Sequence, residues 1–295
     1  MGNLIKSEFR KILTTRVWWA LLIPTVLLAF FWALGVGSLV NSIGSSIKTD
    51  SDFERLGVNF DNLPLAVIAL ARSINITTIF PMIFGVLAFA SEIQRKTIST
   101  TFLTAPSRGL VLAAKGITYA IWGALYGLVI TTFAVLGSLA TASDYYPATG
   151  KVFLIIVAGI ISCVLWTLFG VGIGALFGST VGATVTLLIY ALIVAPIGDL
   201  ALPGKVPGAL PNGSSNGLTS SIAANAMVDK MQDLANGPLA QILGQRVFDG
   251  VITVTRYAAG GLGAFDWWAS GLIFLGWSGV FLTAGMWMNK QRDIT

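Results

Sequence analysis

Six stretches of the chain run on without a charged side chain: residues 17–40, 76–91, 116–140, 152–178, 181–198 and 267–289. A helix rises about 1.5 Å per residue, so a hydrocarbon core about 30 Å thick takes about 20 residues to cross, with about 17 as the lower limit. Each run reaches that length once the uncharged residues 73–75 are added to the second. The pattern predicts an all-α membrane protein with six transmembrane helices.

Ahead of the first run, Ile5, Phe9, Ile12 and Leu13 recur at helical spacing, with Lys6, Ser7, Glu8, Arg10 and Lys11 on the other face. This predicts a helix over 1–16 lying in the membrane interface. Ile5, Phe9 and Ile12 would turn to the apolar side and Arg10 to water. The competing account is that these basic residues only set topology. A cleaved leader does not fit the run that follows, because its 24 uncharged positions exceed a signal core of about 7 to 15 residues.

Residues 199–266, between spans five and six, are too many for a plain connection. The first part, 203–216, is rich in Pro, Gly, Ser and Asn and reads as loop. Farther on, Ile222, Ala226, Met227, Met231 and Leu234 follow helical spacing against Asn225, Asp229, Lys230 and Asp233. One or more helices resting on the outer surface are expected there. The domain plan is thus 1–16 interfacial, 17–198 for spans one to five with a loop at 92–115, 199–266 as an enlarged extracellular segment, and 267–295 for the sixth span and tail. Gly170, Gly174, Gly178 and Gly182 recur every fourth residue, with Gly172 beside them and Gly123 and Gly127 as a second pair. Such spacing lets helices approach closely.

Charge fixes the orientation. Six spans place both ends on one side, which holds ten basic and three acidic residues for a net +7, against −2 on the other. Cytoplasmic flanks carry the basic excess, so both termini and the 92–115 loop are expected in the cytoplasm. Charged residues make up 11% of the 295, where soluble domains carry about 25%; one soluble core is excluded. There is no histidine, which removes the usual general base and commonest zinc ligand. The single cysteine, Cys163, permits no intrachain disulfide.

None of the six runs carries an ionisable residue in its interior, the place where proton- and ion-driven transporters keep them. Lys6-Ser7, Lys48-Thr49 and Lys96-Thr97 are the only Lys-Ser/Thr pairs, and none follows a glycine. A phosphate-binding loop is therefore missing. Any uphill transport would draw its energy from another subunit.

The richest docking candidate is the loop from Ser91 to Lys115. Ile98 and Phe102 stand one helical turn apart, with Leu103 beside them, and offer an apolar edge, while Glu92, Arg95, Lys96 and Arg108 offer polar latches. The bland alternative is a solvated basic loop. The segment resembles the first cytoplasmic loop of type-two ABC transporter permeases, in which a glutamate leaves the membrane, a threonine opens a short helix, and a Pro-Ser-Arg turn leads to a lysine. The matching positions are Glu92, Thr97, Pro106, Ser107, Arg108 and Lys115, and Lys96 stands where the family commonly has glycine. The resemblance extends to Lys6-Ser7-Glu8-Phe9-Arg10-Lys11, the six-span plan and the closing Arg292-Asp293-Ile294.

That resemblance implies the permease subunit of an ATP-driven exporter in a bacterial cytoplasmic membrane. The chain itself would be no enzyme and hold no cofactor; two cytoplasmic ABC ATPase subunits would hold ATP and Mg, and a second permease subunit, identical or homologous, would complete the path. Glu92, Arg95, Lys96, Thr97, Ile98, Phe102, Pro106, Ser107 and Arg108 would couple to the ATPase, acting with the interfacial helix to tilt spans one, two and five. Phe30, Phe31, Phe80, Phe84, Thr184 and Tyr190 are candidates for lining the path. An apolar path suits hydrophobic or amphipathic cargo such as a drug, peptide or lipid, and the partners expected are proteins and membrane lipids, not nucleic acid. A rival reading is a non-transporting membrane scaffold working through 199–266; an intramembrane enzyme is disfavoured by the missing histidine and intramembrane carboxylates.

Overall fold

The charge-free runs fold as helices, and no strand occurs among the residues described by the computed structural model: 1–48, 63–98, 107–147, 149–234 and 245–291. In chain order these are α1 (Gly2–Thr14), α2 (Val17–Lys48), α3 (Ala66–Thr77), α4 (Ile79–Gln94), α5 (Arg108–Ala142), α6 (Thr149–Phe177), α7 (Thr180–Ile189), α8 (Ala195–Ala201), α9 (Val206–Ala209), α10 (Pro211–Leu234), α11 (Gln245–Ala259) and α12 (Trp267–Gln291). A π-helical turn, Tyr190–Val194, joins α7 to α8. Six stretches are long and apolar enough to cross a bilayer: Val17–Ser46, Ala66–Gln94, Gly109–Tyr145, Gly150–Phe177, Thr180–Ala201 and Trp267–Asn289.

The second span differs most from its sequence reading. α3 and α4 meet at Thr78, whose dihedrals are themselves helical, so the span begins ten residues earlier, at Ala66 rather than Ile76. That extension brings Arg72 inside the span. Lys115 and Asp199 likewise fall within spans three and five. The expectation of spans free of ionisable residues is thereby corrected.

α6 is the central post, packed most extensively against α4, α5 and α12. Glycine sets those contacts. A Cβ on Gly170 would run into the Met82 carbonyl, one on Gly174 into that of Val86, and one on Gly85 into that of Thr167. Gly123 and Gly127 bring α5 onto the same helix near Val164 and Ile160, and Gly172 meets the backbone of Phe281 on α12. Gly178 serves differently, ending α6 with φ +66, and Gly182 meets only its near neighbours Ser179 and Phe177.

The 203–216 stretch, read as loop, contains α9 and the first turns of α10. α10 does not rest on the outside; it packs against α6, α12 and α3, with Ser214, Ser215, Leu218, Thr219, Ser220 and Ile222 all buried. Most of its buried hydroxyls find partners inside the bundle: Ser215 pairs with Ser162 at 2.9 Å, and Thr219 donates to Asn75 at 2.7 Å, while Ser221 Oγ is buried without one among the described residues. Small polar residues can enter this way because most find a partner and all bring little bulk.

Ser107 and Ser143 flank α5 and are both exposed. In intact cells a membrane-impermeant thiol reagent is expected to label Ser143→Cys, and to reach Ser107→Cys only after permeabilisation. Cys163 is fully buried and should stay silent. Labelling of both engineered sites from outside would overturn the orientation.

Candidate functional site: a buried charge lattice at the basic face

α1 docks on the bundle through its hydrophobic face. Ile12 is buried, Phe9 lies 6.5 Å from the Trp122 ring, Ile5 is half-buried, and Arg10 faces out, as the spacing predicts. Leu13, read on the same apolar face, is exposed. Glu8 departs from its expected polar face: it is 3% exposed, the most buried residue of the helix.

The reason is a lattice of four charges. Lys115, two turns into α5 and 1% exposed, donates to Glu8 Oε2 at 2.7 Å and to Glu92 Oε1 at 2.8 Å. Lys11 closes the other side, at 2.7 Å from Glu8 Oε1 and 2.9 Å from Glu92 Oε1. Two carboxylates and two ammonium groups balance, which is the condition for burying charge at all. The Lys115 ammonium also lies 5.3 Å from the Phe89 ring centroid. Burial opposes the charge on Lys11, yet Glu8 and Glu92 outweigh it and hold this lysine above its ordinary value of 10.5. Its stabilisation is therefore complete below that value and is lost only as pH rises past it through the folded value.

The lattice joins α1, the end of span two and the start of span three. Next to it, Gln94 Oε1 accepts from the Thr180 amide and hydroxyl, tying span two to the first residue of span five. A groove of about 900 Å³ runs here, with Glu8, Lys11, Glu92, Arg95, Thr97 and Thr180 among its walls. Glu92 is thus used within the chain and is no free latch, although its Oε2 is buried without a donor among the described residues. Ile98 is also turned inward, 6% exposed and in the cluster that holds Ile12 and Trp122. It offers no outward docking edge.

The turn after α4 carries a specific geometry. The Lys96 N–H reaches Ile93 O at 3.1 Å and the Thr97 N–H reaches Glu92 O at 3.0 Å, the paired bonds of a Schellman helix ending. The residue between must adopt a left-handed conformation, and Lys96 has φ +57. Glycine is the residue that such a position favours. Lys96→Gly is expected to stabilise the protein by about 1 kcal/mol, read as a higher melting temperature in detergent; an unchanged or lower one would show that contacts of the lysine outweigh the strain. Arg95 is exposed at the cap of α4, and Ser107, extended at φ −157, caps α5 by accepting from Leu110 N at 3.3 Å. Arg108 is the first residue of that helix. Phe102 and Pro106 lie outside the described residues.

The six path candidates are not gathered on one surface of this chain. Phe30 and Phe31 meet edge-on at 5.4 Å on α2, with Phe31 exposed, and Phe80 is half-buried. Phe84 is core, 2% exposed among Tyr119, Trp122 and Tyr126, and borders the groove beside the lattice. Thr184 and Tyr190 are half-buried on span five, where the Tyr190 hydroxyl accepts from Asn212 N at 3.3 Å. Glu8 and Lys115 are the residues that sequence reasoning misses as a buried pair: it places Glu8 on the polar face of the interfacial helix and Lys115 at the end of the 91–115 loop. No family model matches the chain, and no curated protein matches its sequence.

Proposed function

We propose that this chain is the permease subunit of an ATP-driven exporter, energised by separate cytoplasmic ATPase subunits and moving hydrophobic or amphipathic cargo out through a bacterial cytoplasmic membrane together with a second permease subunit. The carrying observation is the lattice. It grips the interfacial helix, the end of span two and the start of span three at the root of the 92–115 loop. A displacement of that loop would be passed to α1 through Glu8, and to span five through Gln94 and Thr180. The left-handed residue at position 96, where the resembling family has glycine, supports the same reading.

The test is copurification. Tagged chain, purified from its native membrane, should retain an ATPase subunit, and the complex should hydrolyse ATP where the single chain does not. Phe102→Asp would place an unpaired charge in an apolar docking groove, a change that costs several kcal/mol. It should release the ATPase while the chain still inserts. Hydrolysis by a verified single-chain preparation, or full retention by the Phe102 variant, would defeat this assignment; a scaffold would retain no ATPase at all.

A further inference from the structure

A cavity of about 210 Å³ lies in the half of the bundle away from α1, between spans one, two, four and five and beneath α10 and α11. Its walls hold two opposite charges, Arg72 and Asp199, inside membrane-crossing segments. Arg72 sits two turns into span two and donates to the carbonyls of Ala258 at 2.7 Å and Tyr257 at 2.5 Å, so it caps the end of α11. Those acceptors are neutral, the Tyr257 ring centroid lies 6.0 Å from the guanidinium, and the carboxylate whose charge acts on it is Asp199. Asp199 has no ion-pair partner within 4 Å among the described residues. Two ionisable groups that share a cavity in this region without closing on one another mark a binding site rather than a structural bridge.

The remaining polar groups suit the same purpose. Asn212 and Asn216 lie one turn apart on the first turns of α10, so both amides face the cavity together. A helix start favours negative charge. Trp32 adds an aromatic face on the other side, of the kind that attracts ammonium groups. The mouth is apolar: Trp32, Leu192 and Leu200 line the cavity, are 43%, 50% and 66% exposed, and belong to candidate membrane-crossing segments. The space is smaller than the roughly 300 to 1,000 Å³ of whole-ligand pockets. It admits a head group whose tail stays in the lipid.

We propose that this cavity binds the zwitterionic head of a membrane amphiphile, with its phosphate toward Arg72 and the two asparagine amides and its ammonium toward Asp199 and Trp32. The same head chemistry occurs on soluble phosphoamines, and the lateral apolar mouth selects the lipid-borne form. Binding is read on the isolated chain, so its outcome is separate from that of ATPase coupling.

The full chain in maltoside micelles, followed by native mass spectrometry, provides the test. Lysophosphatidylethanolamine should bind about tenfold more tightly than a monoacylglycerol of equal chain length, and about tenfold more tightly than free phosphoethanolamine. Asp199→Asn and Asn216→Ala should each erase most of the first preference without lowering the melting temperature. Arg72→Gln is a poorer probe because it also uncaps α11. Equal binding of lysophosphatidylethanolamine and the monoacylglycerol, or a preference that survives both Asp199→Asn and Asn216→Ala, overturns the site. Free phosphoethanolamine binding as tightly as the lysolipid overturns the assignment to an amphiphile.

Discussion

Lys115→Ala is expected to destabilise the protein by about 3–5 kcal/mol, a lowering of the melting temperature on the order of 10 °C. The lysine is 1% exposed and holds two carboxylates at 2.7 and 2.8 Å. Without it, Glu8 and Glu92 would face one another with only Lys11, whose side chain is 43% exposed. The penalty arises from stranded charge rather than lost attraction, which makes a direct check possible. Adding Glu8→Gln to Lys115→Met leaves one carboxylate and one ammonium, and should recover a large part of the loss. Lys11→Ala, at the wetter edge, should cost only about 1 kcal/mol. Thermal melts of the detergent-solubilised variants decide it: Lys115→Ala melting with the parent, or the double variant melting below the single one, would show that the lattice does not hold α1.

Much of the bundle was legible because lipid imposes a length and an absence of charge on every crossing helix, and both are written along the chain. The ends of spans were less legible. Arg72 interrupts the apolar pattern, so the second span is read as starting at Ile76, whereas the folded chain continues the helix back to Ala66 and satisfies the guanidinium with carbonyls nearly 190 residues away in sequence. Local pattern carries no trace of such a partner. The same limit hides Glu8: hydrophobic spacing places it on the polar face of α1, and only the arrival of Lys115 from span three makes its burial favourable.

α10 failed to be legible for another reason. Its first half, rich in Gly, Ser and Asn, has the composition of a surface loop. In the fold those residues are what lets it enter: Gly213 packs against Pro207 and Gly217 against Ser270, where any side chain would collide. The second half was read more nearly right, since Ile222, Ala226 and Met227 are buried and Asp229 is exposed. Composition reports what water tolerates; it does not distinguish a loop from a helix whose neighbours supply the hydrogen bonds.

Gly170→Ala and Gly174→Ala are each expected to cost about 1–3 kcal/mol, and the pair more than either alone. On these residues a methyl would meet the carbonyls of Met82 and Val86, which are backbone of α4 and cannot rotate aside. The two helices must separate, and α4 carries Glu92 at its far end, so the displacement should reach the lattice as well as the core. Gly276→Ala is the control. It lies on α12 with nothing within 4 Å of the added carbon, and alanine there should be neutral or stabilising by about 0.5–1 kcal/mol, because glycine is a poor helix former. If the α6 substitutions are as harmless as the α12 one, α4 and α6 are not held by backbone contact, and the row of glycines is incidental to the packing. If they lower the melting temperature but leave the Lys115→Ala effect unchanged when combined, the core and the charge lattice are independent, and motion in span two does not travel between them.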